Sequence, residues 1–349
     1  MTRSVVGTLL ASILAIPAGA QRPVSLAPAN AKLTQEFSEL SSVRELSDGR
    51  VLITDRIESK VVVADFTTGH VTAIGRVGEG PLEYGMALPL AATAGNKSIM
   101  LGMPGTRWTL FDGDKIVGTL APDAPVIKAV PFPYGFDRDG HVLTTISARS
   151  PRGSAEDSAF LVRVVVSTGK SDTIGRLGSV AAASLPRGEQ RPIYTVYDQA
   201  VLALDGWVAV LRGAPYRVDW RSPDGRWIVG PPIPAPVVKM DARERQAFLD
   251  RRSDAARKRG AIADWPATIP PITAGWPPMT TMDGRLLIRR TPTADFPTPL
   301  YDVVNRQGIR ERQILMPQNS RIVGFGTHSV YVVNADDSGI EHLERHPWP

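Results

Sequence analysis

The chain has 349 residues, with 40 Lys and Arg against 35 Asp and Glu, and no cysteine. The missing thiols exclude disulfide staples and a cysteine-linked lipid anchor, so stability must come from a buried core, built as one large domain or two smaller ones. The formal charge of +5 is spread along the chain with no basic stripe interleaved with aromatics, which argues against a nucleic-acid partner.

Arg3 precedes an apolar run from Val5 to Ile16, followed by Pro17 and the small triplet Ala18-Gly19-Ala20. These are the charged, apolar and cleavage regions of a signal peptide. The run is short for a membrane span, and no second run of about 18 apolar residues follows. The expectation is a signal peptide over residues 1–20 and a periplasmic or secreted mature chain over 21–349, with no membrane span.

A long-period repeat organises the rest. Val61 opens V-V-V-A-D-F-T-T-G and Leu161 opens L-V-R-V-V-V-S-T-G; each is followed at the same offset by an I-G-R-[VL]-G run, at Ile74 and Ile174. Tight hairpin turns recur between apolar, β-branched runs at Asp48-Gly49, Gly95-Asn96, Asp139-Gly140, Asp205-Gly206, Asp283-Gly284 and Gly326-Thr327. The shorter spacings match one four-stranded propeller blade. The predicted fold is all-β, a six-bladed β-propeller.

In chain order the first unit has strands near 42–46, 50–55, 60–66 and 71–76. The middle strands of the next five lie near 99–101 and 108–111, 142–146 and 160–166, 207–211 and 216–220, 286–290 and 300–305, and 330–334 and 340–345. Several are continuously apolar, as strands sandwiched between blades should be. The last unit lacks its outer strand, and an unpaired edge is a liability. The segment from Val24 to Thr34 is therefore expected to complete blade six and close the ring.

An insertion from Pro231 to Pro278 separates blades four and five. Within it, Asp241 and Glu244 form a capping-box pattern and Gly260 a C-cap, which predicts a helix over 241–260 inside a cap over the channel mouth. Strand alternation places the a-to-b and c-to-d turns on one face, and those are all tight. The longer connections, 77–89, 121–133, 147–157, 177–197, 231–278 and 291–299, all fall on the opposite face. Long loops concentrate function, so a ligand or partner is expected there.

The run Gly75 to Tyr84, G-R-V-G-E-G-P-L-E-Y, has neither a following helix nor a Lys-Ser/Thr pair, so it is not a phosphate-binding loop. It resembles the inter-blade connection of NHL-type propellers, G-x-x-G-x-G-P-x-x-F. The strand pair Leu46 to Asp55 with Val62 to Asp65 is similar to that family too. The closing stretch, from Val323 to Arg345, resembles bacterial secreted six-bladed propellers of unknown function. The resemblance implies the fold and no single activity.

The five histidines are scattered without ligand spacing, so the convergent histidines of propeller lyases have no counterpart. Asp55 and Asp65 are carboxylates in suggestive blades for the calcium site of lactonase-like propellers, but Asp at a strand end is commonly a turn residue. No G-x-S-x-G elbow is present, and no catalytic residue, metal ligand or cofactor is assigned. The long-loop side offers cations and aromatics, with Tyr84, Arg152, Arg212, Arg290 and Trp276 the candidate ligand-binding residues, Arg212 and Arg290 at equivalent strand ends. A protein, a glycan or a small anion would suit them. The expected function is a non-catalytic extracytoplasmic binding or scaffold propeller; the alternative is a lactonase- or lyase-like enzyme acting at the channel, with or without calcium.

Overall fold

The computed structural model describes residues 22–102, 107–121, 134–149, 155–178, 193–194, 196–252, 265–273 and 275–348. The signal-peptide segment, Arg152 and most of the connections at 121–133 and 177–197 lie outside them. Two short strands come first, β1 (Val24–Ser25) and β2 (Ala31–Phe37), and their partners come last. Blade one is β3 (Leu40–Glu45), β4 (Val51–Asp55), β5 (Lys60–Ala64) and β6 (Val71–Ala73). A parallel pair, β7 (Arg76–Val77) and β8 (Glu83–Tyr84), leads to blade two: β9 (Leu90–Ala92), β10 (Lys97–Met100), β11 (Trp108–Asp112) and β12 (Lys115–Leu120).

Blade three has β13 (His141–Arg149), β14 (Ala155–Val165) and β15 (Ser171–Leu177). Its innermost position is taken by residues 134–137, whose backbone bonds to Leu143 and His141. β13 and β14 run further than the sequence pattern indicates, so their connection spans 150–154 rather than 147–157. Blade four is β16 (Gln199–Leu202), β17 (Val208–Arg212), β18 (Arg217–Arg221) and β19 (Trp227–Val229). The insertion carries β20 (Val238–Lys239), helix α1 (Ala242–Asp250) and β21 (Thr268–Ile269). Blade five is β22 (Met279–Thr280), β23 (Leu286–Arg289), β24 (Leu300–Val304) and β25 (Arg310–Leu315); blade six begins with β26 (Ser320–Phe325), β27 (Ser329–Ala335) and β28 (Glu341–Pro347).

The core is a ring of apolar layers, one between each pair of neighbouring blades. Val62, Tyr331 and Leu343 share the layer between blades six and one. Val63 and Phe111 share the next, Trp108 and Val142 the third, and Leu161 and Val208 the fourth. Trp220 with Ile288, and Tyr301 with Val330, complete the circuit. A second strand therefore has apolar neighbours on both sheet faces. β4 is accordingly buried at every position, whereas the outer strand β12 alternates between exposed and half-buried residues.

Inner strands of adjacent blades approach within backbone contact. Leu202 N–H donates to Tyr134 O at 2.9 Å, joining blades four and three directly. A Cβ at Gly324 would lie 2.2 Å from Val43 O, and one at Gly135 would lie 2.6 Å from Leu202 O, so only glycine permits these approaches.

The ring closes between β2 and β28, with Ala31 opposite Arg345 and Phe37 opposite Glu341. The closing strand is thus residues 31–37, not 24–34. Val24 and Ser25 pair instead in parallel with Ile314 and Leu315, adding a fifth strand to blade five. The apolar spacing explains the shift: Leu33 and Phe37 are the side chains that fill the blade-six layer, at 1% and 5% exposure.

Deleting residues 22–28 should remove only β1, leaving a folded monomer with a modestly lower melting temperature. Deleting 22–37 also removes the burial of Leu33 and Phe37, worth about 1.5–3 kcal/mol each, and bares the edge of β28. The shorter deletion should elute as a monomer and the longer one as aggregate in size-exclusion chromatography.

Candidate functional site

The innermost strands enclose a cavity of about 550 Å3 along the ring axis. Each blade supplies an apolar group to its wall: Val43, Leu90, Phe136, Leu202, Met279 and Phe325. The charged lining residues, Arg44, Arg138, Asp205 and Arg306, lie at or next to tight turns, hence at the tight-turn end. Arg306 is paired with Asp205 and stacks over Trp207, 4.6 Å from the ring centroid.

The structure separates the residues that the sequence grouped together. Tyr84 is 2% exposed and belongs to the apolar layer between blades one and two, its hydroxyl accepting Val61 N–H at 3.1 Å. The aromatic that ends the G-x-x-G-x-G-P-x-x-[FY] pattern is therefore an inter-blade plug. Arg212 and Arg290 do occupy equivalent positions, each two residues beyond the β-strand residue that faces a buried aspartate, Val210 opposite Asp219 and Ile288 opposite Asp302. Both guanidinium groups are engaged by the protein. Arg212 bonds Asp219 at 2.9 Å and Asp198 at 2.6 Å, and Arg290 bonds Asp302 at 3.2 Å and Pro271 O at 2.9 Å. Asp302, with 0% exposure, also accepts the Tyr216 hydroxyl at 2.6 Å and the Gln313 amide at 2.7 Å.

Burial and the adjacent Asp302 push the Tyr216 hydroxyl well above its ordinary pKa, so it remains a donor. Burial alone would raise the Asp219 carboxyl, but hydrogen bonds from Arg217 and Arg212 hold it below its ordinary range. Trp276 is half-buried under the Arg289 guanidinium, 4.1 Å from its ring centroid.

The insertion lies on the long-loop face, against the connection between β23 and β24. Asp241 caps α1 by accepting Glu244 N–H at 2.9 Å. Glu244 does not return to complete a capping box; its buried carboxylate accepts Ala294 N–H at 2.8 and 3.0 Å, pinning the helix to blade five. Arg251 reaches Pro292 O at 3.3 Å beside it. Phe248 stands edge-on between Tyr194 and Trp265, with ring centroids 5.8 and 5.7 Å away. No described residue of α1 lines the axial cavity; the helix ends at Asp250 with Arg251 as its C-cap, short of the expected end at Gly260, which itself falls outside the described residues. The sequence missed Glu244 as a tether because its spacing from Asp241 already had a local explanation.

The carboxylates weighed for calcium serve turns. Asp55 accepts Ser38 N–H at 2.7 Å and Glu58 N–H at 3.0 Å; Asp65 accepts Thr67 N–H at 2.7 Å. Asp137, Asp139 and His141 cluster at the tight turn of blade three, where Asp137 accepts both Asp139 N–H and His141 N–H and sits 2.8 Å from His141 Nδ1.

The connection from Gly75 to Tyr84 is built as a rigid loop. Glu83 accepts Arg76 Nε at 2.6 Å and Gly80 N–H at 2.8 Å; Arg107 donates to Glu79 O at 2.6 Å and Gly78 O at 3.0 Å. Hydrogen bonds from Gly80 and Arg76 keep the Glu83 carboxyl below its ordinary pKa.

No family model and no curated protein matches the chain. Solved structures do. A protein of Bacteroides fragilis assigned as exported is 12% identical, covering 94% of this chain and 95% of that one at a TM-score of 0.50. A calcium-binding regucalcin from Agrobacterium tumefaciens is 11% identical over 93% and 97% of the two chains, TM-score 0.43. Virginiamycin B lyase from Staphylococcus aureus is 9% identical over 91% and 98%, TM-score 0.45. The first of these agrees with the propeller fold, and a shared fold leaves the role open. Among the described residues no helix is long and apolar enough to cross a membrane.

Arg290→Met keeps much of the side-chain volume but strips Asp302 of its nearest cation, and should cost about 3–5 kcal/mol in urea unfolding. Asp219, with a folded pKa below the unfolded value near 3.9, contributes stability above that pH and loses it as pH falls through the depressed value. Asp219→Asn should therefore lower stability at pH 6 and flatten its fall between about pH 4 and 2. An acid limb parallel to that of the unmodified chain would contradict the assignment.

Proposed function

We propose that the chain is an extracytoplasmic binding propeller that engages a protein partner on its long-loop face. The observation that carries this reading is the placement of exposed aliphatic side chains on the connections of blade one. Val77, Leu82 and Met86 are 52%, 59% and 41% exposed on and just after the rigid loop, and Ile57, on the turn between β4 and β5 on the same face, is 62% exposed. Four large aliphatic groups lie on one side of one blade, and the two on the loop, Val77 and Leu82, are preorganised by the hydrogen bonds that hold it in shape. Such a surface loses little conformational entropy on docking. Single exposed aliphatics elsewhere are ordinary; their concentration here is not.

The anchored insertion supports the same face. Glu244 and Arg251 fix α1 to blade five, so the Tyr194, Phe248 and Trp265 rings form a second aromatic ledge across the disc. Aromatic and arginine groups of this kind dominate binding energy in protein interfaces. Export to the envelope rests on the signal-peptide pattern of residues 1–20.

A photo-crosslinking residue at Leu82 or Met86, in cells producing the full-length chain, should give one discrete heavier species. The same residue at Met282, on the opposite face, should not. Leu82→Asp should abolish the product formed from Met86 while leaving the melting temperature within about 1–2 °C, since the lost contacts are with solvent-facing groups. Equal products from both faces, or none from Leu82 and Met86, would remove the basis for the reading.

A further inference from the structure

The axial cavity presents a second recognition surface, on the face opposite the one proposed for the partner. Its wall is apolar along the inner strands, and its charged groups are confined to the tight-turn end. Three of these four groups are arginines, and Asp205 neutralises Arg306 alone. Arg44 and Arg138 have no carboxylate partner among the described residues.

The environment of Arg44 is that of a cation missing its counter-ion. One terminal nitrogen donates to Gly95 O at 2.8 Å, while its Nε is buried with no hydrogen-bond partner. Burial holds the guanidinium pKa below its ordinary value. The adjacent Glu45 offsets this only in part, because its carboxylate is turned to blade six, where it accepts Thr327 N–H and the Tyr331 hydroxyl. An arginine so placed has donors to offer and has already incurred part of the desolvation that binding an anion requires. Arg138, on the tight turn of blade three with the turn of blade two between it and Arg44, is exposed and lines the same cavity.

We infer that the axial cavity binds one small organic anion with an apolar body, its anionic group held at the tight-turn end by Arg44 and Arg138 and its body lying along the inner strands. The volume of about 550 Å3 falls within the range of sites for small organic molecules. A carboxylate would meet Arg44 as a charge-assisted hydrogen bond, the strong class of polar contact in a partly desolvated site. An apolar chain or ring would cover wall groups such as Leu90, Phe136 and Leu202, whose burial supplies the non-directional part of the affinity. An inorganic anion would leave that wall wet, and a neutral alcohol would leave Arg44 without a counter-ion.

Three probes of equal chain length separate these contributions: decanoate, decanol and decyltrimethylammonium, titrated calorimetrically into the purified mature chain. Decanoate is expected to bind at one per chain, at least tenfold more tightly than decanol, and the ammonium to show no saturable binding. Arg44→Gln combined with Arg138→Gln should weaken decanoate at least tenfold and leave decanol unchanged, and Thr280→Trp, which fills the cavity wall, should weaken both. Thermal melts establish which variants are folded; if the double variant is not, the decanoate-to-decanol ratio on the unmodified chain decides. No saturable decanoate binding, equal affinity for acid and alcohol, a preference that survives in a folded double variant, or indifference to a folded Thr280→Trp variant would each overturn the inference. The partner surface stands or falls separately, because Leu82 and Met86 lie on the other face.

Discussion

Everything in this molecule depends on one seam, where a strand from the beginning of the chain completes the blade made by its end. β2 pairs with β28, and Leu33 and Phe37 then fill the apolar layer that Tyr331 and Leu343 share with Val43 and Ile53 of blade one. The seam is also locked by polar contacts at both faces of the disc. At one, Glu341 accepts Leu40 N–H at 2.6 Å while Arg321 bonds both Glu341 and Leu40 O; at the other, Glu45 accepts from Thr327 and Tyr331. Without this closure two blade faces and two strand edges would meet water, and no disulfide is available to hold them together.

The closed ring explains the placement of charge. Wherever a blade presents a polar group to its neighbour, burial makes an unpaired charge costly, so Arg212 and Arg290 are matched with Asp219 and Asp302 inside the blades. The long-loop face, by contrast, carries exposed ion pairs, Arg76 with Glu83 and Arg243 with Asp295, beside its aliphatic groups. Arg44 is not matched in this way: a half-buried arginine that donates to a backbone carbonyl and leaves its Nε without a partner, at the wall of the cavity to which every blade contributes.

Most of the fold was legible in the sequence because blade architecture writes itself in short-range signals. The Asp-Gly turns at Asp48, Asp139, Asp205 and Asp283 and the unbroken apolar runs between them place the second and third strands of five blades within a residue or two of the observed ones. The repeated strand pairs at Val61 and Leu161 fixed the register. Less was legible at the seam, where β2 is mostly polar, a register shift interrupts its alternation, and only Leu33 and Phe37 report its true position. The candidate site was harder still. Tyr84, Arg212 and Arg290 read as surface groups because their partners, Val61, Asp219 and Asp302, depend on how hairpins and blades register against one another, which residue type alone does not encode. The recurrence of an arginine at a strand end with an aspartate on the following strand carried that signal. Arg44, by contrast, had no local signature, since its significance comes from lacking a partner in three dimensions.

The claim that a single seam holds the ring is tested most directly by native-state hydrogen exchange of the intact chain, resolved to the amides of residues 30–37 and 341–346. If the ring is cooperative through its closure, these amides exchange only with the slowest protons of the central blades and share their denaturant dependence. Exchange of residues 30–37 through a separate, denaturant-insensitive opening, with blade one unaffected, would show that the strand is an appendage and that the ring holds without it.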